Sequence, residues 1–96
     1  MQIDEFQEMM RRLYFHRDSA RGVKGTYDWL VEEVDELREA LEEGNKDATE
    51  KEFADVIAWL ASLANITGIN LEKAALKSII MSAQNATNRP ANANFS

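Results

Sequence analysis

Two segments decide the fold: WLVEEVDELREAL (residues 29–41) and EFADVIAWLASLANI (residues 52–66). In the first, Leu30, Val34, Leu37 and Leu41 recur at the three-and-four spacing of one helix face. In the second, apolar residues point in nearly every direction, and Asp55 is the only formal charge between Ala54 and Ile66. Each segment also holds a pair of carboxylates three residues apart, Glu33 with Glu36 and Glu52 with Asp55. Residues at that spacing share a side of a helix, so two such helices packed together aim four carboxylates at one point. Carboxylates brought so close repel unless a cation lies between them. An all-oxygen donor set suits Mg²⁺ or Mn²⁺, and magnesium held by protein carboxylates commonly handles phosphates.

Working outward, punctuation predicts four helices. The first runs from about Ile3 to Arg17 with a stripe of Ile3, Phe6, Met10, Leu13 and Tyr14, and Ser19, Gly22 and Gly25 predict a loop over 17–25. The second helix begins near Thr26, as N-cap, and ends before Gly44 as C-cap. The third starts around Asp47 and stops before Gly68. The fourth follows Asn70 as N-cap and is over by Pro90. Short connections favour antiparallel neighbours, so helices two and three form a hairpin and the whole an all-α, four-helix bundle-like arrangement. The expected domain covers residues 1–90, with a short polar tail at 91–96.

A helix apolar all round is usually buried, and four helices of this length cannot enclose one of their members completely. The third helix is therefore expected to line a subunit interface in a homo-oligomer, a homodimer or homotetramer.

Ninety-six residues, 45% of them hydrophobic, make one domain with a modest core. The chain contains no cysteine, which excludes disulfides and thiolate metal sites and fits a reducing compartment. Met1 to Glu5 lacks the basic and apolar regions of a secretory signal, and the weakly polar run from Ala54 to Ile66 falls short of the roughly 20 residues a membrane span requires. The expectation is a cytoplasmic protein without membrane partners. A net charge of −6 argues against charge-driven binding of nucleic-acid polymers, while a polyphosphate screened by divalent metal remains a possible substrate.

Ideal helix geometry puts Glu33 roughly 70° from the centre of its helix's apolar stripe, with Glu36 on the same flank, whereas Glu32 and Glu39 point nearly opposite. Any single Glu in a chain that is 29% charged reads most simply as a solvated surface group. Asp55 does not: a lone carboxylate on an apolar helix costs several kcal/mol unless neutralised, paired or bound to metal. A Lys or Arg is one candidate partner. The neighbouring charge on its flank, however, is Glu52, another acid, which favours a cation.

The order Glu-Glu-x-x-Glu then Glu-x-x-Asp on consecutive helices, with a Gly-Ile-Asn break after them, resembles the MazG-like nucleotide pyrophosphohydrolases of the all-α NTP pyrophosphatase superfamily over roughly Tyr14 to Glu72. The resemblance implies that Glu33, Glu36, Glu52 and Asp55 bind Mg²⁺. It also implies hydrolysis of nucleoside triphosphates between the α and β phosphates, giving a monophosphate and pyrophosphate. Glu32, Glu33 and Glu36 are the candidate catalytic residues; Glu32 matches the motif's first acid and suits a base-like role, and either Glu32 or Glu36 is placed to orient the attacking water. Family members are often dimers or tetramers. Many carry a basic, Asn-containing last helix that contacts substrate, for which KSIIMSAQNATNRP (residues 77–90) offers Lys77, Asn85 and Arg89.

Arg21 and Lys24, and more distantly Arg17, precede the acidic helix and are candidates for a triphosphate, against a plain solubilising role. Trp29 and Trp59 share flanks with the acids and are candidates for stacking on a base, against simple packing. His16 is the only histidine, which counts against di-iron chemistry, and no phosphate-binding glycine loop is present. Two rivals remain: a phosphoribosyl-ATP pyrophosphohydrolase-like enzyme, and a non-catalytic helical oligomer or metal-binding scaffold.

Overall fold

A computed structural model describes residues 1–86, and all the secondary structure there is helical: α1 (Ile3–Glu43), α2 (Lys46–Thr67) and α3 (Leu71–Ala86). The expected tail at 91–96, the stop at Pro90 and Arg89 lie outside the described residues.

The first two expected helices are one long helix with a break. Gly22 sits at φ 86°, ψ 172°, a region that only glycine occupies readily, and it divides α1 into arms of residues 3–21 and 23–43. The loop expected over 17–25 is therefore corrected to a single non-helical residue. Ser19 and Gly25 are weak helix formers, yet the helix carries through both, because intrinsic preference is a weak force beside tertiary packing. Thr26 is not an N-cap but a completely buried residue inside the second arm.

Gly44 closes α1 in the left-handed conformation at φ 73°, its N–H donating to the carbonyls of Ala40 and Leu41. Asn45 then caps α2, its Oδ1 accepting the Ala48 N–H at 3.0 Å. The two-residue connection forces α2 back along α1, giving the expected hairpin. Gly68 ends α2 in the same left-handed way, and the chain turns by 101° into α3. Asn70 caps α3 as expected, its Oδ1 accepting from Lys73 N–H at 2.8 Å while its Nδ2 donates to Asp4 at 2.8 Å.

The crossing of α1 and α2 is built from small residues. Ala40, Ala61 and Ala64 are buried, with Thr26 and Ser62 beside them, so the two backbones approach closely. The expected apolar stripes are only partly covered within one chain. Leu13, Val34 and Leu41 remain 64%, 46% and 57% exposed, and α2 leaves Phe53, Ile57 and Leu60 open. On α3, Leu76, Ile79, Ile80 and Met81 are also exposed. No single helix among the described residues is long and apolar enough to cross a membrane.

A candidate metal centre between α1 and α2

The hairpin explains why the acids meet. Glu36 and Glu52 lie equally far from Gly44 along the chain, as do Glu33 and Asp55, so an antiparallel pair of helices sets them at matching heights. Oxygen atoms of Glu33, Glu36 and Glu52 come within 4.8 Å of one another. Glu33 is buried, Glu52 is half-buried and Glu36 is open to solvent. Glu32 and Glu39 are exposed, as the helix geometry predicts.

Burial, followed by the neighbouring Glu36 and then Asp55, raises the Glu33 carboxyl to about 7. Glu52 carries a second sign of unmet charge: its Oε2 is buried and accepts no hydrogen bond. Carboxylate oxygens crowded together, one of them buried without a donor, are what a divalent cation satisfies, and an all-oxygen set of this kind fits a hard ion such as Mg²⁺ or Mn²⁺.

Asp55 requires a correction. It stands beside Glu33, but its side chain is 38% exposed and Lys51, one turn earlier, donates to Oδ2 at 3.1 Å. Lys51 also lies 3.6 Å from Glu52, and Asp55 first, then Glu52, raise its pKa. Lys51 is thus the basic partner that the sequence left open beside a cation, at the i, i+4 spacing at which opposite charges pair along a helix.

Arg21 donates to Asp18 Oδ1 at 2.9 Å and lies with its guanidinium carbon 4.7 Å from the Trp59 ring centroid. Its stem occupies the space above Gly25, where a Cβ would come within 2.9 Å of Arg21 Cγ. Trp29 and Trp59 stack on each other, centroids 5.5 Å apart and planes 9° from parallel. Lys24 is exposed and pairs with Asp28 at 2.8 Å. Lys77 and Asn85 share a groove whose lining comes from α3 alone, separate from the groove that Glu36 and Glu52 line. His16 is exposed.

Asp18 was not among the sequence candidates. It is 2% exposed, lines a cavity with Arg21 and Trp59, and its Oδ2 has no hydrogen-bond partner. Its spacing to Arg21 was visible, but nothing local distinguished it from an exposed acid.

No curated protein matches the chain. Residues 21–80 match the family model described as the MazG nucleotide pyrophosphohydrolase domain, a span that takes in all four motif carboxylates and the hairpin that assembles them. Covering more than half of the sequence, that match shows that the chain belongs to the MazG nucleotide pyrophosphohydrolase family.

Proposed function

We propose that this protein is a Mg²⁺-dependent enzyme that hydrolyses a nucleoside triphosphate to a nucleoside monophosphate and pyrophosphate, with water breaking the bond between the α and β phosphates, in nucleotide-pool housekeeping. The observation that carries this reading is the convergence of Glu33, Glu36 and Glu52 with one buried oxygen left unsatisfied. These three residues and Asp55 would hold the ion. An ion held by these residues would supply positive charge against the phosphates and lower the pKa of the attacking water. Glu36, the exposed member of the cluster, or Glu32, exposed and next to Glu33 along the chain, would orient that water or take its proton. Lys24, in the first turn of the acidic arm, carries a charge that suits phosphate oxygens, and Arg21, just before the break at Gly22, is the second candidate substrate contact.

Pyrophosphate release, assayed separately from orthophosphate across standard and modified nucleotides, tests the reading. Release is expected with Mg²⁺ or Mn²⁺ and not with EDTA, and Glu52→Gln should lower it by about a hundredfold or more. Competition by phosphoribosyl-ATP would separate the related pyrophosphohydrolase activity. Silence across the whole panel with Mg²⁺ still bound would favour a scaffold.

The working unit is a homodimer or homotetramer. The support is the uncovered apolar surface of α2 and α3, together with the marginal stability of an isolated helix as short as α3. Light scattering at micromolar concentration should return at least twice the 10.9 kDa chain mass, and a monomeric value would overturn this.

A further inference from the structure

We propose that the cavity beside Trp59 is a base-recognition pocket selecting cytosine or guanine, with Asp18 reading the exocyclic amino group. This deepens the nucleotide reading above and rests on it.

The cavity holds ≈ 220 Å³ and is lined by Arg17, Asp18, Arg21, Trp59 and Ser62 among others. It is smaller than the roughly 300–1,000 Å³ of sites that enclose a drug-sized ligand, which suits one ring system with the rest of the molecule outside. Trp59 lies one turn beyond Asp55, about 6 Å along the helix axis, on the element that supplies two of the acids. A nucleotide likewise carries its base at one end and its phosphates at the other.

The polar groups define the ligand's edge. Asp18 is inside the protein, with a side chain only 3% exposed, and Arg21 occupies Oδ1 alone. Oδ2 is left with no donor, an expensive state for a buried oxygen. Asp18 already lines the cavity, so a base amino group entering it supplies the donor that Oδ2 lacks. A carboxylate accepts an amino N–H, as from cytosine N4, while the guanidinium groups of Arg17 and Arg21 donate to a carbonyl. Cytosine and guanine present an amino group and a carbonyl on the same edge. Uracil and hypoxanthine lack the amino group, and adenine lacks the carbonyl.

The test uses the full chain in Mg²⁺ and follows Trp29 and Trp59 fluorescence during titration with nucleoside monophosphates, which contain no phosphoanhydride bond. GMP should bind about tenfold or more tightly than IMP, and CMP than UMP, each pair differing at the amino position. Asp18→Asn keeps an oxygen for Arg21 but puts an N–H₂ group opposite the base's amino group. It should abolish or invert both preferences with helical content unchanged. Equal affinities in the parent, survival of the preferences in Asp18→Asn, or failure of all four to bind at millimolar concentration would each overturn the proposal. Pyrophosphate release from the corresponding triphosphates is measured in parallel. Release without base preference removes the pocket alone, whereas base preference without release removes the pyrophosphohydrolase reading and leaves the pocket.

Discussion

Glu33→Gln is expected to make the metal-free protein more stable at pH 8 while destroying its divalent-metal site. The Glu33 carboxyl titrates near 4.5 in an unfolded chain and near 7 in the folded protein, because burial and then the charges of Glu36 and Asp55 oppose its ionisation. Between those values the folded state binds the additional proton, so stability in EDTA falls as pH rises from about 4.5 to 7 and then levels off. A neutral glutamine removes that slope. The shift and the coupling among these acids set the gain at about 1–3 kcal/mol at pH 8, several degrees in melting temperature for a domain of this size. Mg²⁺ should reverse the ranking: it binds and stabilises the parent, whereas the variant has lost a ligand and about a hundredfold or more of pyrophosphate release. Thermal melts of both proteins at one concentration, from pH 4 to 9 with EDTA or Mg²⁺, would measure this. A parent whose EDTA stability is flat across that range would sink the account of Glu33 as a crowded, buried acid.

Gln7→Leu should cost about 2–4 kcal/mol, the largest loss expected from any single change outside the acidic cluster. Gln7 is buried on the first turns of α1, where its Nε2 donates to Asn65 Oδ1 at 3.0 Å and to the Ile69 carbonyl at 2.7 Å. Its Oε1 accepts the Leu71 N–H at 2.9 Å, a group that α3's own ladder leaves unpaired, and Asn65 Nδ2 returns a bond to the Gln7 carbonyl at 3.2 Å. One amide thus ties the start of α1 to the end of α2 and the start of α3. Leucine fills similar space but leaves three polar groups without their partner. Urea denaturation measures the cost, and hydrogen exchange should show residues 71–86 opening first. A loss under about 0.5 kcal/mol would mean that water replaces the amide at these sites.

Much of this architecture was legible because it is specified locally. Gly44, Gly68 and Asn70 act within a turn of themselves, so their capping roles could be read before any packing was known. The paired acids were legible for the same reason, since i, i+3 spacing fixes a shared helix side regardless of the neighbours. Reading failed where an environment decided. Thr26 carries the side chain of a good N-cap, yet the helix restarts at residue 23 and draws it into the α1–α2 crossing. Gly22 and Gly25 looked equivalent, but only Gly22 adopts a conformation that breaks the helix, while Gly25 leaves room for Arg21. For Asp55 the sequence left a basic partner and a cation both open, and the structure supplies Lys51.

Helical periodicity, two glycine stops and the order of four carboxylates were enough to establish an all-α chain with an acidic hairpin, because each depends on residues within a few positions of one another. Which groups are dry required the packed structure. Asp18, Glu33 and Glu52 are acids like their exposed neighbours in sequence, but the packing of α1 on α2 buries Asp18 and Glu33, half-buries Glu52, and leaves one oxygen each of Asp18 and Glu52 without a donor. Desolvation is a property of everything that surrounds a group, most of it distant along the chain, so the chemistry of this site emerges only when the two helices close on each other.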